Sequence, residues 1–311
     1  MKEWLLDLLI CPACLPAELP LQIRVQDRQR DDILEAQLSC SACGAHYPIQ
    51  AGIAFLDPAQ AEPRPESKYE TASVLSSYLW SHYGDLLPDP EASDAYRAWA
   101  ELLREGGGTG LDLGSAVGRM SFEMSRFCDR VVGIDNSVAF VRTARELLQT
   151  GRKTFDLRLE GLLAQPVTVI LPETWSRAGV EFIVGDAMAL PFRSAGFASL
   201  ASLNLIDKVP LPLQHLKEMN RVAQAEGAQV LFSDPFSWST EAAAEADWLG
   251  GKPAAPYAGR GLDNVRELLA GRDRHLQPAW QIAGQGHVWW KIRTHSNHFE
   301  LIRSCYVKAG R

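Results

Sequence analysis

From residue 71 onward the apolar positions follow two rhythms that take turns. "ASVLSSYLWSHYGDLL", "YRAWAELLREGG", "MSFEMSRFC" and "SVAFVRTARELLQT" read as helices, the last with apolar residues at helical spacing. "GLDLG", "RVVGID", "VEFIVGDA", "FASLASLNLI" and "AQVLFSDPF" are short, mostly apolar runs bounded by Gly, Asp or Pro, and read as buried strands. Strand and helix in alternation predict an α/β fold with a doubly wound, mainly parallel sheet. The stretch 155–171, "FDLRLEGLLAQPVTVIL", alternates as a hairpin would and stands as an insertion. Ahead of all this, "LPLQIRV" and "ILEAQLSC" read as the two strands of a small separate hairpin. Between the two parts, "PAQAEPRPESKYE" carries three prolines and no apolar period, which predicts an extended linker. The expected organisation is a small domain over 1–58, a linker over 59–70 and a large domain over 71–311.

Composition narrows the class only a little. Of 311 residues, 46% are hydrophobic and 22% charged, as in ordinary globular chains. A net charge of −7 argues against a surface built to neutralise nucleic-acid phosphates. No run nears the roughly 20 apolar residues of a membrane span. Asp7 interrupts the opening "MKEWLLDLLIC", which is too short for a secretion signal, so the expected location is the cytoplasm and no membrane partner is expected.

Six cysteines are too few for a disulfide scaffold, but four of them form two CxxC pairs: Cys11 and Cys14 in "CPAC", Cys40 and Cys43 in "CSAC". Each pair places two thiolates on one ion, and two pairs complete a tetrahedron of sulfur. Zinc is the expected occupant. Four thiolates leave it no open position, so its role is structural, and folding of a module this small is expected to depend on it. Cys128 and Cys305 are read as buried small hydrophobes, and His46 as a surface or packing residue. Residues 1–58 hold four basic side chains against eight acidic ones, which favours protein packing or self-association into a homo-oligomer over RNA binding.

The chemistry of the large part is read from its first strand-to-helix turn. Asp112, Gly114, Ala116 and Gly118 fall in that turn, where small residues let the backbone approach a ligand. Asp135 closes the next strand, followed by Asn136, and a carboxylate there can bridge two ribose hydroxyls. On these residues alone a nicotinamide-dependent enzyme fits almost as well.

Resemblance to known families separates the two. "DLGSAVG", "EFIVGDAMALPF" and "LNLIDKVPLPLQHLKEMNRVAQAEGAQVLF" resemble the signatures of class I S-adenosylmethionine-dependent methyltransferases, with Ala116 in place of the middle glycine. The resemblance implies a seven-stranded Rossmann-like sheet whose last two strands, "HVWWKIRT" and "FELIRSCYVKA", form a reversed hairpin. It also implies a donor site of Asp112, Gly114, Ala116, Gly118, Asp135, Asn136, Asp186, Ala187 and Asn204, with Asp186 and Ala187 meeting the adenine. Residues 3–57 resemble the small zinc-ribbon proteins that partner and activate methyltransferases acting on tRNA and translation factors, here fused to the large part.

A narrower resemblance covers most of residues 69–308. "YETASVLSSYLWSHYG", "LDLGSAVGRMSFEMSR", "VVGIDNSVAFVRTA", "ASLNLIDKVPLP" and "SDPFSWS…ADWLGG" resemble the C-terminal methyltransferase domain of ovothiol synthases, which methylates an imidazole nitrogen of 4-mercaptohistidine. The chain lacks the sulfur-inserting iron domain of those enzymes and carries the ribbon instead. The expected acceptor is therefore a small molecule of the imidazole-thiol type. An RNA or protein acceptor docked by the ribbon is one alternative, and a non-catalytic donor-binding scaffold is another. A neutral imidazole is nucleophilic near pH 7, so alignment matters more than a strong base. Candidates for orienting or deprotonating the acceptor are Asp207, His82 and Tyr83. Tyr69, Arg119, Phe236, Trp238 and Trp248 are candidates for binding it, and Glu160 on the insertion is a weaker one.

Overall fold

The computed structural model describes residues 1–58, 67–103 and 106–311. The chain opens with a 3₁₀ turn over Glu3–Leu8 and four strands: β1 (Gln22–Gln29), β2 (Asp32–Ser39), β3 (His46–Gln50) and β4 (Ile53–Leu56). Most of the linker expected over 59–70 lies outside the described residues. Of it, Ser67 caps a 3₁₀ turn over Lys68–Glu70, and Thr71 then caps α1 (Ala72–Tyr83), each through its side-chain oxygen.

The large part follows as α2 (Ala95–Glu101), β5 (Thr109–Leu113), α3 (Arg119–Met124), β6 (Arg130–Asp135), α4 (Val138–Thr150), β7 (Arg152–Glu160) and β8 (Leu163–Ile170). It continues through β9 (Val180–Gly185), β10 (Ser199–Leu203), α5 (Pro212–Val222), β11 (Gln229–Asp234), α6 (Gly261–Leu269), β12 (Gln281–His295) and β13 (His298–Gly310). β9, β6, β5, β10 and β11 run parallel, and β13 and β12 close the edge antiparallel. This is the expected seven-stranded Rossmann-like sheet with its reversed hairpin. β7 and β8 pair only with each other, as the alternation at 155–171 predicts.

The ribbon is more than a hairpin beside this sheet. β1 to β4 form an antiparallel meander, and β4 then pairs in parallel with β9 through Phe55 with Val184 and Leu56 with Gly185. One eleven-stranded sheet results. A second contact runs through the loop after β9: Ile10 N–H donates to the Pro191 carbonyl (2.9 Å), and Arg193 N–H donates to that of Leu8 (3.0 Å). Leu5, Leu9, Leu38 and Leu56 share a core with Ile134, Ile183, Leu190 and Phe192.

A buried ionic knot pins the join. The Arg145 guanidinium on α4 donates to Glu181 of β9 (2.6 Å), to both carboxylate oxygens of Asp32 on β2 (2.6 and 2.7 Å), and to the Ala51 carbonyl (3.1 Å). Gly52 makes room for it: at φ +76° a β-carbon there would lie 2.0 Å from an Arg145 nitrogen. Among the described residues no helix is long and apolar enough to cross a membrane.

Candidate functional site

Strand order reverses at β5, whose neighbours are β6 and β10, and a cleft opens there at the carboxyl ends of the strands. It encloses about 870 Å³, its open mouth included. Gly114 and Ala116 line it after β5, Asp135 and Asn136 after β6, Asp186 and Ala187 after β9, and Asn204 after β10. Tyr69 and His82 come down on the cleft from the turn before α1 and from α1 itself. These nine expected residues are brought together on one wall or another.

The floor is set by backbone geometry. Ala116 takes a left-handed φ of +45° where the resemblance expects glycine, and its N–H donates to Asp135 Oδ2 (2.8 Å). Ser137 N–H donates to the other oxygen, also at 2.8 Å. The Asp135 carboxylate is thereby aimed across the glycine turn with lone pairs to spare. Burial pushes its pKa up to about 6, with the nearby Glu70 adding to the rise and the two N–H donors opposing it. Gly118 starts α3 at φ +86°, where a β-carbon would meet the Phe182 ring at 2.6 Å. Under Ala187, buried His215 faces that residue's carbonyl with Nδ1 (3.3 Å) and the Ser202 hydroxyl with Nε2 (2.9 Å). Desolvation lowers its pKa to about 4, so it supports the wall as a neutral ring.

Other expected residues stand apart from the cleft. Asp112 is buried behind the turn and accepts from the Ser121 hydroxyl (2.7 Å), which ties β5 to α3, and desolvation raises its pKa to about 7. Arg119 is no acceptor anchor. It is 1% exposed, and its fork is taken by Asp85 (2.6 and 2.9 Å), Glu123 (2.8 Å) and the His82 carbonyl (2.6 Å), beneath the Trp175 ring. Tyr83 is fully buried and donates to the Val117 carbonyl (2.7 Å), which fixes α1 to the glycine turn and removes it from the chemistry.

Asp207 is 1% exposed behind the wall, accepting from Ser237 N–H (2.9 Å) and from Lys208 (3.1 Å). The side chain that does line the cleft there is Lys208. Phe236, Trp238 and Trp248 form an aromatic row packed toward α6, with Trp238 and Trp248 stacked at 6.4 Å, outside the cleft lining. Glu160 is exposed at the hairpin end.

Residues that the patterns do not single out complete the cleft: Tyr78, Tyr96, Phe140, Lys208 and Trp290. Tyr78 packs on Phe140 (4.7 Å), His82 (5.7 Å), Tyr69 (6.0 Å) and Trp290 (6.3 Å). The Tyr96 hydroxyl sits 2.7 Å from His82 Nε2, the rings 4.1 Å apart. Full burial drives the His82 pKa well below its usual range, helped by the Arg119 charge, so the imidazole is neutral.

In the ribbon, the four sulfurs of Cys11, Cys14, Cys40 and Cys43 lie within 4.8 Å of one another, with Cys11 to Cys43 at 3.6 Å and Cys14 to Cys40 at 3.7 Å. A tetrahedral ion with Zn–S bonds near 2.3 Å needs sulfurs about 3.8 Å apart, so the set fits zinc. N–H groups of Cys43 and Ala42 help draw the Cys40 thiol down to about 7, while burial pushes the Cys11 thiol up and the neighbouring Cys43 sulfur pushes that of Cys14 up.

Residues 111–231 match the family model described as "Methyltransferase domain", and residues 2–52 match that of the "Trm112p-like protein". No curated protein matches the chain. Among solved structures, the complex between the Haloferax volcanii Trm112 methyltransferase activator and a methyltransferase is similar at 14% identity, covering 79% of this chain and 99% of that one (TM-score 0.46). A structure of S-adenosylmethionine-dependent methyltransferases from Methanosarcina mazei is similar at 18% identity over 66% of this chain and 92% of that one (TM-score 0.44). Haemonchus contortus phosphoethanolamine N-methyltransferase 2 is similar at 17% identity over 56% of this chain (TM-score 0.40), and the chain spans 37% of that protein's length.

With the glycine turn, the cleft at the strand ends and the matched domain in place, the chain is an S-adenosylmethionine-dependent methyltransferase of Rossmann-like fold. More particularly, it joins that domain to a Trm112-like module whose four-cysteine cluster suits a structural zinc.

The raised Asp135 pKa has a measurable consequence. On the reading proposed below, in which Asp135 accepts from the donor's ribose hydroxyls, a carboxyl protonated below about pH 6 loses that acceptor. Affinity for S-adenosylhomocysteine, measured by calorimetry, is expected to fall as pH drops through 6, approaching tenfold per pH unit. Asp135→Asn should bind more weakly at pH 8 and show no such slope. An unchanged slope in the variant would assign it to another group.

Proposed function

We propose that the chain transfers a methyl group to a small, flat nitrogen heterocycle, with an imidazole nitrogen of 4-mercaptohistidine as the acceptor. The observation that carries this is the character of the cleft on its α1 side. Tyr78 and Tyr96 pack on a neutral His82, and Tyr69 and Trp290 line the same cleft, a setting that suits a planar ring far better than a charged backbone. Asp135 would accept from the donor's ribose, Asp186 and Ala187 would meet its adenine, and Gly114 and Ala116 would let the main chain close on it. When bound, S-adenosylmethionine supplies a methyl activated by its sulfonium. The aromatic walls hold the acceptor in line and exclude water. His82, neutral at pH 7, accepts a hydrogen bond from the acceptor's ring N–H and orients the ring, and the methylated imidazole gives up that proton to water on release. Under this reading residues 1–58 form the ribbon, 59–70 the linker and 71–311 the catalytic domain. The setting is a reducing cytoplasm, where thiolates stay free to hold an ion.

The test is direct. Full-length protein with donor and 4-mercaptohistidine should yield a product heavier by one methyl, placed on nitrogen by fragmentation. A second reading draws on the match of residues 2–52 to the Trm112p-like model, and takes RNA or a translation factor as the acceptor. It predicts label transfer to cell RNA or protein extracts and none to the imidazole thiol. That outcome would replace the first reading.

A further inference from the structure

We infer that Trp290, Asn204 and His82 are the acceptor-reading set: two fixed N–H donors and one ring nitrogen that select a flat heterocycle with a sulfur able to accept twice and one N–H, and that leave its second ring nitrogen free. This deepens the proposed reaction and rests on it for the place of the acceptor. Three of the cleft's lining residues each bury a polar atom with no hydrogen-bond partner among the described residues: Trp290 Nε1, Asn204 Nδ2 and His82 Nδ1. Buried polar groups are normally satisfied, and three lapses around one cavity mark bonds that a ligand completes.

Each of the three is held firmly by its other contacts. Trp290 is 4% exposed, its ring fixed between Tyr78 and Trp99. Elsewhere Trp80, Trp99, Trp248 and Trp280 all donate their indole N–H, to Asp89, Ser233, Ala243 and Asn220 respectively. Trp4, Trp238 and Trp290 do not, and of these Trp290 is the one that lines the cleft.

Asn204 sits at a left-handed φ of +55°, its N–H bound to the Ser233 carbonyl (2.7 Å) and its Oδ1 accepting from the fully buried Ser304 hydroxyl (2.6 Å). That bond occupies the amide oxygen and leaves Nδ2 to donate. His82 Nε2 is engaged by the Tyr96 hydroxyl. With the Nε2 proton directed to that oxygen, Nδ1 keeps a lone pair for the acceptor's N–H. A mercaptoimidazole offers the matching pattern: its thiolate sulfur accepts from both N–H donors, one ring nitrogen donates to His82 Nδ1, and the other keeps its lone pair for the methyl. Ser304 acts here as a positioning residue.

The experiment uses ¹⁵N-indole-labelled full-length protein saturated with S-adenosylhomocysteine. The Trp290 signal, assigned by its loss in Trp290→Phe, is expected to move downfield when 4-mercaptohistidine is added. In steady-state assays Trp290→Phe should raise the acceptor KM about tenfold, the worth of one buried hydrogen bond. Its kcat should stay within about threefold and its affinity for S-adenosylhomocysteine should be unchanged, which also reports an intact fold. A shift without methylation would keep the reading set and remove the proposed reaction. Methylation with an unmoved Trp290 signal or an unmoved KM would remove the reading set and keep the reaction. No shift and no methylation would overturn both.

Discussion

Protein stripped of zinc, or carrying Cys14→Ser with Cys40→Ser, is expected to melt more than about 10 °C below the intact chain and to lose donor binding with it. The reason lies in how far the ribbon reaches. Metal binding at a site of four thiolates contributes roughly 10–16 kcal/mol of apparent folding energy to a small module. Here that energy also maintains a neighbour. Leu5, Leu9, Leu38 and Leu56 are 0–2% exposed within the core that holds Ile183 and Phe192, and β4 supplies β9 with its outer hydrogen-bonding partner. Loss of the ribbon would uncover a hydrophobic flank and a bare strand edge one strand away from β6, whose end carries Asp135. Thermal melting read with S-adenosylhomocysteine calorimetry checks this. A metal-free chain that melts within about 2 °C of the zinc form would show that the ribbon is dispensable to the fold.

Arg145→Met is the second large effect, expected at about 3–5 kcal/mol of lost stability in denaturant titrations. Arg145 is 3% exposed and Glu181 is fully buried, so the variant leaves a carboxylate in the interior without its counter-charge. It also removes the ion pair that ties Asp32 to α4 across the join, leaving Asp32 only the Met1 ammonium as counter-charge. Lys153→Met, which removes the more exposed pair with Glu146 on the same flank, is the control and should change stability by no more than about 0.5 kcal/mol. Equal losses in the two variants would contradict the assigned role of the knot.

Much of the fold is legible because its signals are local. The runs that form β5, β6, β9 and β10 end where a polar residue or glycine faces the cleft, and the CxxC spacing brings four sulfurs within reach of one ion whatever surrounds them. What is not legible depends on distant pairing. Nothing in "IAFL" says that it will lie beside Val184 and Gly185, more than a hundred residues away. The charged and aromatic candidates fare worst for the same reason. Arg119 reads in the sequence as free to bind a carboxylate, but Asp85 and Glu123 fill its fork. Phe236 and Trp238 follow β11, the neighbour of a strand that ends at the cleft, yet turn toward Gly261 and Trp248. Trp290 and Tyr96 carry no sequence signal, because one alternates within a strand and the other lies on a short helix, with no motif around either. An adjacent tryptophan, Trp289, is half exposed, so only the register of β12 separates the two.

The parallel contact between β4 and β9 is made within a single polypeptide. Two surfaces that meet inside one chain carry no dilution term, so their occupancy is the same at nanomolar as at millimolar protein. Every copy synthesised therefore carries its own edge cover in a fixed one-to-one ratio, and scarcity of a separate cover cannot throttle it.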